Sequence, residues 1–138
     1  MTATTNYGYL RRVLSTGATV FGLSALFLLF APALFNELLG FTSNSELEWA
    51  MRMIAITLVA LCGNMLSVAL NGKDEAVLFS ARVMALSAAA LGALTLLTPV
   101  TNLTWFDFVY AGVGFSFSLA YIIGLVITPG ANQQTPNR

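Results

Sequence analysis

Apolar residues fill four blocks of this chain, over residues 13–35, 49–70, 77–100 and 106–127, and charged residues rarely enter them. Each block is about 20 residues or longer, enough for an α-helix to cross the ~30 Å hydrocarbon core of a bilayer. Polar turns separate the blocks, so neighbours should run antiparallel. The pattern predicts an all-α, integral membrane four-helix bundle, up-down-up-down, because spanning helices satisfy their own backbone groups. Pro32 lacks an N–H and should bend or end the first helix. Residues 33–41 then predict a short interfacial helix, with Leu34, Phe35, Leu38 and Leu39 turned to lipid and Gly40 as its stop. Ser45 is the predicted N-cap of the second long helix, with Glu46 and Glu48 at its positive end. Asn71-Gly72 marks the next turn, Lys73-Asp74-Glu75 opens the third helix, and a turn holding Pro99 precedes the fourth. Pro129-Gly130 ends that helix. The organisation is therefore an N-terminal segment over 1–12, a transmembrane domain over 13–128 and a polar tail over 129–138.

Composition narrows the chemistry. Hydrophobic residues make up 57% of the chain and charged residues 9%, whereas soluble domains carry about a quarter charged. A net charge of zero gives no reason to expect nucleic acid, and no basic cluster is dense enough for a polybasic lipid-binding tail. The chain has no His, which removes bis-His haem, zinc-hydroxide chemistry and Ser-His or Cys-His nucleophiles. A single Cys62, mid-span, removes an internal disulfide and a CxxC pair and reads as a small buried apolar side chain. No cofactor, no metal and no catalytic set is expected.

Arg11 and Arg12 before the first block, with Ala31-Pro32-Ala33 after it, imitate a signal peptide; the apolar run exceeds the usual signal core and reads as an uncleaved anchor. Arg11, Arg12, Lys73 and Arg138 fall on one side of the membrane if four helices alternate, while Glu37, Glu46, Glu48 and Asp107, with only Arg52 as a base, fall on the other. The Lys/Arg excess places both termini in the cytoplasm. Trp49 and Trp105 then share the outer interface. Asn102-Leu103-Thr104 matches the glycosylation pattern but lies too close to the span to be used readily.

Helix pairing in lipid depends on small residues that let backbones approach. The fourth helix has Gly112, Ser116, Ala120 and Gly124 in steps of four, with Gly114 and Ser118 beside them. The third has Ala81, Ala85, Ala89 and Ala93, plus Ala88 and Gly92, and the first has Ala18 and Gly22. The third and fourth helices should therefore touch closely.

Two polar layers interrupt the apolar spans. Thr57, Ala60, Asn64, Ser67 and Asn71 share one face of the second helix, which should turn inward because polar side chains avoid lipid. Arg82 lies roughly 12 Å into the third span. Hairpin geometry puts Asn64 and Tyr121 level with it, and Thr19 completes the layer. A central Arg costs about 2.5–3.5 kcal/mol on insertion scales. It either snorkels towards headgroups, Asp74 or Glu75, or binds with Asn64 and Tyr121 the phosphate, carboxylate or quinone carbonyl of an amphiphile; simple hydrogen bonding between helices is the third possibility. The outer layer holds Glu48, Arg52 and Asp107. Glu48 and Arg52 have the favourable i,i+4 order; Asp107 either caps its helix or pairs with Arg52.

The segments Pro32-Ala33-Leu34-Phe35, Leu39-Gly40-Phe41, Trp49-Ala50-Met51-Arg52 and Ala81-Arg82 resemble those of DoxX-like and related small four-helix bacterial membrane proteins. The resemblance implies the four-helix fold and, for some members, a link to membrane redox systems; the acidic positions typical of that group find no match here. The layout is also similar, at fold level only, to membrane scaffolds that gather sterol-synthesis enzymes. The expected function is a non-catalytic accessory or scaffold subunit, or a module binding a lipid or quinone, with membrane lipids and a protein partner or second copy as neighbours. The alternative is an oligomeric small-solute transporter or channel. A membrane enzyme using Arg82, Asn64 and Tyr121 lacks a base, nucleophile or metal set.

Overall fold

The computed structural model describes residues 4–98 and 102–128. The polar tail, the Pro99 turn and the first residues of the N-terminal segment lie outside the described residues. Among the described residues there are five helices and no strand: α1 (Thr4–Phe30), α2 (Pro32–Leu38), α3 (Ser45–Asn71), α4 (Asp74–Leu96) and α5 (Trp105–Ile127). Four of them, α1 from Tyr7 onward, α3, α4 and α5, are long and apolar enough to cross a membrane. Large apolar side chains such as Leu23, Leu86 and Val126 stand exposed on their outer faces. That surface suits acyl chains and not water, and the chain fits a small membrane protein.

Helix α1 begins well before residue 13, so Arg11 and Arg12 are helical. The Arg11 guanidinium donates to the carbonyls of Ala69 at 2.9 Å and Gly72 at 2.6 Å, and to Asp74 Oδ1 at 3.1 Å. It thereby satisfies carbonyls that the end of α3 leaves open and ties α1 to the Gly72-Lys73 turn. The break after α1 falls at Ala31, and Pro32 occupies the first turn of α2, where its missing N–H does no harm. Gly40 takes the left-handed φ of 75° that ends this segment.

Two expectations fail here for local reasons. Phe35 does not dip into lipid: it is buried, its ring 5.7 Å from those of Phe27 and Phe106 and 5.9 Å from Tyr110, all edge-on. Leu34 is exposed, and Leu38 and Leu39 are half-buried, so α2 turns one aromatic edge inward over the bundle. The N-cap of α3 is Asn44 and not Ser45; its side-chain oxygen accepts the N–H of Leu47 at 2.8 Å.

The bundle is built from two close pairs, α1 with α3 and α4 with α5, joined chiefly through α1 and α5. In the first pair Ala18, Ala25 and Leu28 are buried, as are Ala55, Cys62, Met65 and Ala69. A Cβ at Gly22 would sit 3.8 Å from Cys62 Cβ, an ordinary contact, so the Ala18–Gly22 face does lie against α3. The second pair is tighter. A Cβ at Gly114 would meet Ala88 O at 2.9 Å and Gly92 N at 3.2 Å. Ser118 Oγ donates to Ala85 O at 2.8 Å in a buried position.

Close contact of α4 with α5 was expected, but through a different ridge. On α5 the buried positions are Asp107, Ala111, Gly114, Ser118, Tyr121 and Gly124; Gly112 and Ser116 are exposed and Ala120 is half-buried. Strict steps of four advance about 40° each around a helix, so the Gly112–Ser116–Ala120–Gly124 line winds off any one contact. Alternating steps of three and four stay on it. On α4, Ala81, Ala85, Ala88 and Gly92 are buried, while Ala89 is half-buried and Ala93 exposed.

Candidate functional site: a lateral groove between α3 and α4

The inner polar layer expected around Arg82 does not assemble. Asn64, Arg82 and Thr19 are all exposed on the outer surface, and the Thr19 hydroxyl donates to its own helix at Ser15 O, 3.0 Å away. Tyr121 is fully buried, and its hydroxyl has no hydrogen-bond partner. It lies against α1, where a Cβ on Gly17 would come within 2.6 Å of it. The whole Thr57, Ala60, Asn64, Ser67 and Asn71 face is exposed. It is the back of the helix: Ala55, Cys62, Met65 and Ala69 repeat at the same spacing and carry the contact with α1. Residues two apart differ by about 200° around a helix, so burying Cys62 turns Asn64 outward.

The outer layer forms in part. Glu48 Oε2 and Arg52 lie 3.8 Å apart as an i,i+4 pair. Ser43 Oγ donates to Glu48 Oε1 at 3.1 Å and accepts from Asn36 Nδ2 at 3.4 Å. Asp107 takes no part in these contacts. It caps α5, accepting on Oδ2 the N–H of Thr104 at 2.6 Å, with the Thr104 hydroxyl 2.9 Å from the same oxygen. Thr104 Oγ1 also lies 2.6 Å from Leu38 O, which ties the start of α5 to the end of α2. Thr104 and Asp107 form a capping box at the spacing this motif requires.

What the sequence did not disclose is the space next to Asp107. Helices α3 and α4 are joined only by Gly72 and Lys73, yet they make few contacts. Between them lies a groove of about 410 Å³ at the α2 end, with Met51, Ile54 and Leu58 on one side and Leu91, Leu94 and Thr98 on the other. Tyr110, Phe35 and Asp107 also line it. A smaller space of about 210 Å³ continues it towards Met65 and Met84, sharing Phe21, Leu58 and Leu91. Ile54 and Leu94 are exposed on adjacent helices, so the groove opens sideways, towards lipid. A larger hollow of about 510 Å³ over Ser45, Glu46, Trp49 and Ala50 lies on a single helix with no facing wall and cannot enclose a ligand.

The lining of the groove is polar in a particular way. Asp107 is 0% exposed, and its Oδ1 has no hydrogen-bond partner. Thr98 Oγ1, of another residue lining the groove, also has none. Asn36 Oδ1, on α2, is a third buried oxygen without a partner. Each such group costs about 1–3 kcal/mol when left unsatisfied, and three at one end of a bundle are a concentration that packing alone does not require. No group of three or more His, Cys, Asp and Glu side chains placed to hold a metal occurs among the described residues. Comparison with known proteins finds no matching family model, no matching curated protein and no matching solved structure.

Proposed function

We propose that this chain is a non-catalytic membrane module that binds an amphiphile in the α3–α4 groove. The observation that supports the reading is an apolar space opening sideways and ending on buried polar atoms without partners. Ligand sites have this composition, mostly apolar with a few convergent polar groups, and volumes from about 300 Å³ upward. The apolar tail enters from the bilayer between Ile54 and Leu94, and the head settles by Asp107 and Thr98. Arg11, Arg12 and Lys73 gather at the opposite end of the bundle and support cytoplasmic termini, with the site in the outer half of a bacterial inner membrane. The DoxX-like resemblance agrees with a role as an accessory subunit.

The test is gentle extraction followed by native mass spectrometry. The wild-type protein retains an amphiphile, and Leu91→Trp, which fills the groove, loses it while the bundle stays folded by circular dichroism. Equal retention by both rejects the reading.

The outward polar face of α3 favours an additional reading, self-association. Asn64 is exposed in mid-span, and a Cβ at the adjacent Gly63 would meet nothing within 4 Å. An amide both donates and accepts, so two copies satisfy each other about a two-fold axis. Asn64→Leu then shifts a dimer to monomer in the same spectra; an unchanged stoichiometry rejects it.

A further inference from the structure

We propose that the head held at the closed end of the groove is a primary ammonium group on a single apolar tail, donating to Asp107 Oδ1 and Thr98 Oγ1. The inference rests on the amphiphile-binding reading and specifies its ligand class. It starts from charge. Asp107 is the one charged side chain among the residues that line the groove, and it is fully buried. Its other oxygen accepts the Thr104 N–H at 2.6 Å, and it sits in the first turn of α5. Both features suit a negative charge there. Buried charges are normally paired. The base at this end of the bundle, Arg52, is exposed and paired with Glu48.

Hydrogen-bond polarity points the same way. Asp107 Oδ1 is an acceptor, and Thr98 Oγ1 accepts as readily as it donates. A phosphate or carboxylate head brings acceptors and a like charge. A quinone or ester carbonyl brings acceptors alone. A hydroxyl brings one donor and no charge. A primary ammonium brings three donors, no acceptor and the opposite charge. The groove supplies no cation to hold a phosphate beside it, so a simple long-chain amine fits better than a zwitterionic lipid head. The side opening lets the end of a tail longer than the groove remain among the acyl chains.

The test uses the full-length protein in a neutral detergent and three probes with one tail: hexadecylamine, hexadecanol and hexadecanoate. Binding is read by native mass spectrometry titration. Hexadecylamine binds at least about tenfold more tightly than hexadecanol, the gain expected of a charge-assisted hydrogen bond, and hexadecanoate binds more weakly than either. Asp107→Asn keeps an acceptor for the Thr104 N–H and brings amine and alcohol to within about threefold. If that variant does not fold, Thr98→Val serves, with a selective loss of amine affinity. A wild-type protein that takes the alcohol or the carboxylate as tightly as the amine overturns the ammonium and leaves the amphiphile-binding reading standing. Failure of all three probes overturns both. Phosphatidylethanolamine competing with hexadecylamine where phosphatidylcholine does not upholds the ammonium head but overturns the single tail; hexadecylamine binding without such competition upholds both.

Discussion

The two sides of α4 meet their neighbours in opposite ways. Towards α5 it presents Ala81, Ala85, Ala88 and Gly92, and α5 answers with Gly114 and Ser118, so backbones touch and a hydroxyl reaches a carbonyl across the interface. Towards α3 it presents Met84, Leu91 and Leu94, and α3 answers with Ile54, Leu58 and Met65. Large side chains on both walls hold those helices apart, although they are consecutive in sequence. In water such walls would close on one another. In lipid they gain little by doing so, because acyl chains are as apolar as Leu. Small residues therefore decide which helices are fused, and large ones mark where the bundle remains open to the bilayer.

The sharpest way to break this contrast is Gly114→Leu. Its side chain would have to occupy the position of Ala88 O and Gly92 N. Neither backbone atom can turn aside, so α4 and α5 must separate. Overpacking commonly costs 1–3 kcal/mol in cores that yield, and this interface should lose about 3 kcal/mol or more. The measurement is thermal unfolding in detergent, with loss of the monodisperse folded species as the expected result. An unchanged midpoint would mean that the α4–α5 contact contributes little to stability.

A smaller effect tests the polar part of the same interface. Ser118→Ala removes the hydroxyl that donates to Ala85 O. That carbonyl belongs to a helix and keeps its backbone partner, so nothing is stranded. Hydrogen bonds between helices in membranes average about 0.6 kcal/mol, and the variant should lose roughly that much. A loss several times larger would show that the bond organises the interface beyond its own energy.

The sequence disclosed the number of helices, their order, the break at Pro32 and the α4–α5 contact, because span length, proline and small-residue content are local properties. It misled where two faces of one helix carry equally good patterns. On α5, Gly112 and Ser116 compete with Gly114 and Ser118, and only the three-four alternation separates them. On α3, the assumption that polar side chains turn inward placed Asn64 inside, while Ala55, Cys62, Met65 and Ala69 at the same spacing were the better signal for the contact face. The Asp107 cap was readable from Thr104 three residues earlier. The groove was not, since it depends on two helices failing to meet, and no local pattern records a missing contact.

The finest test places a leucine on the other side of α4. Ser87 lies one residue before Ala88, lines the deeper part of the groove and is exposed. Ser87→Leu ends in the same side chain as Gly114→Leu, but it places that leucine in open space beside Cys62, Met65 and Leu91. No backbone atom stands in its way, and a leucine is at home among acyl chains. Stability should change by less than about 0.5 kcal/mol, the ordinary range for substitutions away from packed features. The smaller space of about 210 Å³ should shrink, so that affinity stops rising at a shorter tail while the head contacts at Asp107 and Thr98 stay intact. A titration with amines of increasing chain length reads this directly. If Ser87→Leu instead unfolds the bundle as Gly114→Leu does, the two sides of α4 are equally packed in the membrane, and the groove is closed when the protein is at rest.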